Sequence, residues 1–315
     1  MISSKLSALI WSVILLAAPL RAGENGPDYT VTFLFQFPDR PVHGLPLSEP
    51  QALCSDPEGN IFIADTGNHR ILRFDQQGRF QLAIGSIGWE REQFDRPLDL
   101  TAKTGLDLFI ADYNNERIER YDLKLNYIAS YPSEERLPDE LRFGFPRGVD
   151  VSRHGEWFVC ESEHNRVLKF SATGVPVLSF GDFNWGEGQL RDPVKVEVSR
   201  DDLVYVTDQG SRQVVVFDYY GNFVTRFGED VLEKPNGLTW SDDGKLFVVD
   251  SGRDRVVVFN AQHVRVYAWG GSGDRYGAFR APSDVAVVKD RIYVLDAGNS
   301  RVQVFQLRPV KAEKN

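Results

Sequence analysis

Cysteine and histidine, the side chains most often used for nucleophilic and zinc chemistry, are scarce in this sequence. The 315 residues include two cysteines, Cys54 and Cys160, and five histidines. No Gly-x-Ser-x-Gly motif is present, so the serine nucleophile of the α/β-hydrolases has no counterpart.

Basic residues are also in deficit. Lys and Arg number 36 against 45 Asp and Glu, a formal net charge of −9. Binding to phosphate backbones or anionic lipid rests on clustered Lys and Arg. We therefore expect no nucleic-acid partner.

A long apolar run occurs only once, at residues 6–20, LSALIWSVILLAAPL. It is shorter than the roughly 20 residues that span a bilayer, it follows Lys5, and a small residue closes it. We interpret residues 1–22 as a signal peptide cleaved after Ala22, with a retained membrane anchor as the alternative. The rest is then an exported, periplasmic or extracellular protein without stable membrane insertion.

One pattern occurs six times along the remaining chain, as in IFIADTGNHRILRF at 61–74 and LFVVDSGRDRVVVF at 246–259. An acidic residue marks each copy: Asp65, Asp112, Glu161, Asp208, Asp250 and Asp296. A proline lies 14 or 15 residues before each acid: Pro50, Pro97, Pro146, Pro193, Pro235 and Pro282. A repeat of 42 to 49 residues is typical of propellers and solenoids.

Each copy is predicted to form four short strands rich in Val, Ile and Phe, separated by turns that contain Gly, Asp and Asn. The sequence thus predicts an all-β, six-bladed β-propeller of four-stranded antiparallel blades. The last copy lacks a fourth strand, whereas residues 29–37 supply a spare one, which we expect to close the ring against 302–307. We assign residues 23–310 to this single propeller and 311–315 to a disordered tail.

The proline, the aliphatic strand, the acid and the Arg-Val or Arg-Ile step together resemble the NHL repeat, as do glycine-rich links such as FGDFNWGEGQLRDP at 180–193. The resemblance implies the propeller fold over residues 29–307. It does not imply one activity, since propellers of this kind serve as enzymes, sensors and adaptors.

Five copies place an arginine five positions after the acid. An acid ending one strand and an arginine starting the next can form a charge-assisted pair across a tight turn. We interpret these pairs as structural, because a single active site would not recur in every blade. The pairs are Asp65 with Arg70, Asp112 with Arg117, Glu161 with Arg166, Asp250 with Arg255 and Asp296 with Arg301.

The chain also resembles, at the level of its repeats, the secreted propeller lyase that completes peptide amidation. That resemblance implies metal-binding histidines just after the blade prolines. None of the residues at those positions is a histidine: Gln51, Leu98, Arg147, Val194, Asn236 and Ser283. A three-histidine zinc site is therefore not expected.

Charged residues on the innermost strands differ most between copies. Alternation directs Asp99, Asp150, Glu197 and Asp284 toward the channel, where we expect them to surround Lys195. Arg147 and Asn236 would lie at the rim. These groups either bind a cation, such as Ca²⁺ at Asp150 and Glu197, or neutralise one another.

Aromatic residues in the crossovers are the other candidates for a binding surface, above all Trp89 and Trp185, while Phe94 and Phe279 are expected to wedge between blades. Two functions stay open. The first is a monomeric binding, scaffold or sensor module for a protein, peptide or glycan. The alternative is a metal-dependent lyase or hydrolase in the acidic channel.

Overall fold

The computed structural model describes residues 29–184 and 186–309, which form six four-stranded antiparallel sheets. The predicted signal peptide, the predicted C-terminal tail and Trp185 lie outside the described residues. In chain order the strands are β1 (Tyr29–Phe37), β2 (Ala52–Ser55), β3 (Ile61–Asp65), β4 (Arg70–Phe74), β5 (Phe80–Ile84), β6 (Pro97–Thr101), β7 (Asp107–Asp112), β8 (Arg117–Asp122), β9 (Tyr127–Pro132), β10 (Pro146–Val151), β11 (Trp157–Glu161), β12 (Arg166–Phe170), β13 (Pro176–Phe180), β14 (Pro193–Val198), β15 (Val204–Asp208), β16 (Gln213–Phe217), β17 (Phe223–Phe227), β18 (Pro235–Trp240), β19 (Leu246–Asp250), β20 (Arg255–Phe259), β21 (Arg265–Gly270), β22 (Asp284–Val288), β23 (Arg291–Asp296) and β24 (Arg301–Pro309).

Each sheet is one blade, and the innermost strands of neighbouring blades contact one another in a closed ring. Blades one to five run β2 to β5, β6 to β9, β10 to β13, β14 to β17 and β18 to β21, while blade six has the order β22, β23, β24, β1. The fold is the all-β, six-bladed propeller that the sequence predicts.

The ring is closed by the strand from the start of the described chain. β1 pairs antiparallel with β24, with Phe37 opposite Val302 and Thr32 opposite Gln306. Phe37 is buried against the ring of Phe74 in blade one and that of Tyr293 in blade six. The predicted closure is confirmed, and it removes the open sheet edges that unclosed propellers would expose.

The core consists of apolar layers between adjacent blades. The second strand of each blade is almost wholly buried, because its faces contact the blades on either side. Ile63 and Leu72 of blade one, for example, share a cluster with Tyr293 and Leu295 of blade six. Such burial contributes roughly 25 cal/mol per Å² of apolar surface.

Phe94 and Phe279 are fully buried wedges, as predicted. Both approach a glycine with positive φ, at Gly85 (φ 116°) and Gly270 (φ 125°). A Cβ at either position would lie 2.6 Å from a backbone carbonyl oxygen and 2.9 Å from the phenylalanine ring. Only glycine combines this φ with so close an approach.

The two faces of the ring differ in their connections. The turns between the second and third strands and the crossovers between blades share one face, here called the crossover face. The turns from the first to the second strand and from the third to the fourth lie on the opposite face. Within the described ranges, no helix has the length and apolar character needed to cross a membrane.

Candidate functional site

The repeated turn is held by an acid and an arginine in five blades. Nε of the arginine donates to the acid over 2.6 Å in the pair Arg70 with Asp65, and over 2.8 to 3.0 Å in the other four pairs. All five acids are fully buried. The predicted pairs are thus formed in all five blades, and candidate functional residues are sought where the blades differ.

The upper half of the channel, nearest the crossover face, contains one lysine between two aspartates. Nζ of Lys195, on blade four, lies 2.8 Å from Oδ2 of Asp284, on blade six, and also contacts Oδ1 of Asp99, on blade two. Both carboxylates are almost completely buried. We call these three residues the upper triad.

The lower half contains a second lysine, Lys103, which follows the innermost strand of blade two. Its Nζ lies 2.8 Å from Oδ2 of Asp150 and 3.1 Å from Oε1 of Glu197, and it donates to the carbonyl oxygen of Val198. Lys103, Asp150 and Glu197 are the lower triad. Sequence reasoning missed Lys103, because it lies in a turn beyond the strand whose alternation was followed.

The expectation that four carboxylates surround Lys195 is therefore wrong for two of them. Asp99, Asp284 and Lys195 all lie two residues after a blade proline, whereas Asp150 and Glu197 lie four residues after one. Because a strand rises about 3.3 Å per residue, this difference of two residues places Asp150 and Glu197 deeper in the channel than Asp99, Asp284 and Lys195. The sequence shows this difference in spacing. Lys103 reaches the lower group because a lysine side chain is long.

The channel aspartates also join neighbouring blades. Asp99 accepts the backbone N–H of Val149 over 2.8 Å, and Asp284 accepts that of Leu53 over 3.0 Å. Asp150 accepts the N–H of Val198 over 2.7 Å and the hydroxyl of Thr101 over 2.9 Å. Each acid thus satisfies an inner-edge amide that would otherwise face the channel unpaired.

Both triads hold two carboxyl groups against one ammonium. Burial raises the pKa of Asp99 to about 7, the Lys195 ammonium opposes that rise, and Asp284 adds to it. Burial likewise raises the pKa of Glu197 to about 7, against the pull of Lys103. The pKa values of both lysines are raised by their carboxylate partners. One carboxyl group in each triad therefore titrates near neutral pH.

The mouth of the channel is small. Its cavity of about 60 Å³ is lined at the rim by one residue from each blade and at the floor by the upper triad. Arg147, at the rim, is paired with Asp192 of the next crossover, and Asn236 lines the rim beside it. Both predicted rim residues are thus in place, and the volume is enough for a few water molecules.

The crossover face carries several exposed apolar side chains. Trp89 and Ile87 are 76% and 67% exposed on the crossover into blade two. Phe183 is 82% exposed on the crossover into blade four, and Tyr276 stacks on Phe33 at a ring distance of 4.2 Å. Of the two tryptophans singled out from the sequence, only Trp89 is within the described residues.

The histidines and cysteines form no site in the channel within the described part of the chain. The group there with metal-ligand geometry is Glu161, Glu163 and His164, in a turn of blade three. Glu161 already accepts Nε of Arg166 and lies 3.0 Å from Nδ1 of His164, which accounts for its charge. Cys54 and Cys160 are both free thiols.

Comparison with known proteins agrees with the repeat geometry. The family model of the NHL repeat matches residues 47–74 and 279–305. The chain thus carries NHL repeats within a six-bladed propeller. A curated relative of this NHL-repeat propeller, "Protein brain tumor" of Drosophila melanogaster, is 26% identical over 136 residues, which are 42% of this chain and 12% of the relative.

Solved structures resemble the NHL-repeat propeller in fold. A gluconolactonase from Xanthomonas campestris matches with a TM-score of 0.63 and 15% identity, covering 89% of this chain and 90% of that one. Virginiamycin B lyase from Staphylococcus aureus matches with a TM-score of 0.60 and 13% identity, covering 88% of this chain and 99% of that one. At these identities the likeness extends to the fold alone.

Proposed function

We propose that this NHL-repeat propeller is a recognition module that binds a peptide segment of a partner protein on its crossover face. The observation that carries the proposal is the pair of exposed side chains Ile87 and Trp89, on one rigid crossover. Large exposed aromatic groups in a fixed position are the usual anchors of protein interfaces.

The backbone beneath Trp89 is firmly held. Its carbonyl oxygen accepts a hydrogen bond of 2.6 Å from Arg117, which also holds the carbonyl of Gln93 at 2.8 Å. Ile87 is bridged to the buried wedge Phe94. Binding therefore need not order this loop, so less conformational entropy is lost than with a mobile one.

The channel supports this choice over catalysis. Both lysines there are bound to carboxylates, and the mouth is too small to enclose a sugar or a peptide side chain of any size. Ligand sites for small molecules usually measure about 300 Å³ or more. A partner on the face above the mouth fits this geometry better than a substrate inside it.

A peptide library displayed on phage and selected on the wild-type protein tests the proposal. Selected peptides should bind the double variant Ile87→Ser with Trp89→Ala at least about tenfold more weakly, a loss of about 1.4 kcal/mol. Leu106→Ser with Tyr220→Ala is the matched control, since these residues are 75% and 74% exposed on the opposite face. Equal weakening by both double variants would reject the crossover face as the site.

A metal-dependent lyase or hydrolase in the channel is the second candidate, favoured by the carboxyl groups of Asp99 and Glu197 with pKa values of about 7. Perturbed carboxyl groups in a cleft are typical of acid–base sites. Here Asp150 and Glu197 would hold Ca²⁺ in place of the Lys103 ammonium. Calorimetric titration with millimolar Ca²⁺ or Zn²⁺ decides: uptake that Asp150→Asn with Glu197→Gln abolishes supports the candidate, and no uptake by the wild type rejects it.

Export is part of the proposal. The apolar run at residues 6–20 and the small residue Ala22 support secretion to the periplasm or the extracellular space, where a monomeric propeller would meet its partner.

A further inference from the structure

In five blades an arginine side chain occupies the space between the turn joining the second and third strands and the crossover that enters the blade. In blade one, Arg70 binds Asp65 through Nε and donates from its terminal nitrogens to the carbonyl oxygens of Val42 (2.9 Å) and Leu45 (3.1 Å). An acid and at least one oxygen of the crossover are likewise bound by Arg117, Arg166, Arg255 and Arg301. The guanidinium thus occupies the same slot in each of these blades.

Blade four lacks this arginine. Gln213 occupies the position, and its shorter side chain, 5% exposed, makes no hydrogen bond with any of the described residues. A cavity of about 290 Å³ opens at this place. Its lining comes from the turn and the crossover that an arginine would otherwise join: Gly186, Gln189, Arg191, Gly210, Ser211, Arg212, Gln213, Arg226 and Glu229.

The lining is basic although the whole protein is acidic. Arg191, Arg212 and Arg226 line the cavity, with Glu229 as the single acid in its lining. Among the described residues, no carboxylate oxygen lies within 4.0 Å of any of these three guanidinium groups. Arginines without a carboxylate partner keep their capacity to bind one from outside.

A cation is a poor occupant of the slot. The acid of the repeated turn in this blade, Asp208, already accepts the hydroxyl of Ser211 (2.5 Å) and the backbone N–H groups of Arg191 (3.1 Å) and Asp192 (2.6 Å). Neutral donors therefore satisfy the carboxylate that binds arginine in the other blades. The groups left to meet a ligand are the Gln213 amide and the three lining arginines, of which Arg226 donates a long hydrogen bond of 3.5 Å to the carbonyl oxygen of Glu187.

We propose that this slot, vacated by arginine in blade four, binds the anionic oxygens of a small ligand: a phosphate, sulfate or carboxylate group. The planar guanidinium fork matches two oxygens of such a group at once, and three guanidiniums suit a dianion best. The slot lies at the outer part of the crossover face, and the proposal does not depend on the recognition role of Trp89.

Isothermal titration at low ionic strength with sodium phosphate, sodium sulfate and sodium acetate tests the proposal, with sodium chloride as the background. Phosphate and sulfate should bind at one site with a Kd of about 1 mM or tighter. Acetate should bind about tenfold more weakly, and tighter binding of acetate than of phosphate would identify a carboxylate as the preferred group. No saturable binding of any of the three salts would overturn the proposal.

Two variants locate the binding. Arg191→Gln with Arg226→Gln should weaken phosphate binding at least about tenfold, because two of the three charged forks are lost. Arg79→Gln with Arg200→Gln removes the same charge from the opposite face and should leave the Kd unchanged. Equal loss in both double variants would mean general charge attraction instead of a site.

Refilling the slot is the sharper test. Gln213→Arg restores the residue of the other five blades, so it should abolish phosphate binding while the melting temperature stays the same or rises. If this variant folds and binds phosphate as tightly as the wild type, the slot is not the site. If it fails to fold, the arginine double variant decides alone.

Discussion

The ammonium of Lys195, on blade four, lies 2.8 Å from a carboxylate oxygen of Asp284, on blade six. The same ammonium contacts Asp99 on blade two, so one side chain ties together three alternate blades across the channel. Asp99 and Asp284 in turn accept backbone amides from blades three and one. The upper triad therefore links five of the six innermost strands.

Replacing Lys195 should destabilise the fold strongly. Lys195→Met leaves two buried carboxylates without a counter-charge, and breaking a buried pair in this way costs about 3–5 kcal/mol. Urea unfolding of Arg200→Met is the control, because Arg200 pairs with Asp242 at the surface, where such contacts contribute about 0–1 kcal/mol. Similar losses in the two variants would contradict a structural role for the triad.

The raised carboxyl pKa values predict a pH dependence with a definite sign. Asp99 and Glu197 have folded pKa values of about 7, above the ordinary range near 4, so the folded state binds more protons between these values. Their contribution to the free energy of unfolding is full below about pH 4, and it falls as pH rises through 7. The melting temperature should therefore be lower at pH 8 than at pH 5.5.

A variant separates this effect from other titrations. Burial lowers the pKa of His263, so the unfolded state binds the proton more readily than the folded state. The contribution of His263 to the free energy of unfolding therefore rises with pH, opposite to that of Asp99 and Glu197. Asp99→Asn with Glu197→Gln should flatten the fall in melting temperature between pH 5.5 and 8, measured by scanning fluorimetry. A profile that is unchanged in this double variant would show that other groups control it.

The repeated pairs should matter to stability in proportion to their burial. Arg166→Gln leaves Glu161 buried with its charge poorly balanced, and we expect a loss of about 3 kcal/mol in urea unfolding. His164→Gln also removes a contact of Glu161, but His164 is 46% exposed, so its loss should stay below about 1 kcal/mol. The reverse order would refute the assignment of Arg166 as the partner that holds the turn.

Export gives a prediction that mass spectrometry can check. When the full sequence is expressed with a secretory apparatus, the recovered protein should begin at Gly23, since the expected cleavage follows Ala22. Ala22→Arg removes the small residue that cleavage requires and should leave the precursor uncut. Recovery of the wild type with residues 1–22 intact in the membrane fraction would favour the retained anchor.

The fold was predictable because a propeller repeats its local chemistry. The proline, the alternating strand and the Asp–Arg turn occur in phase, and the spare strand at 29–37 matches the gap at the last blade. The candidate site was predictable only in part. The channel residues Asp99 and Lys195 were found by their departure from the repeat, but Lys103 had no pattern to mark it.

The sequence by itself determined the six blades, the closing strand, the pairing of acid with arginine in five blades and the charged residues of the channel, because strand period and repeat spacing are local properties. Tertiary structure alone decided which charges meet. The ring brings Lys103 into contact with Asp150 and Glu197. It also leaves a basic cavity where glutamine replaces arginine at position 213. Such contacts depend on how side chains from separate blades converge in space, which no spacing along the chain records.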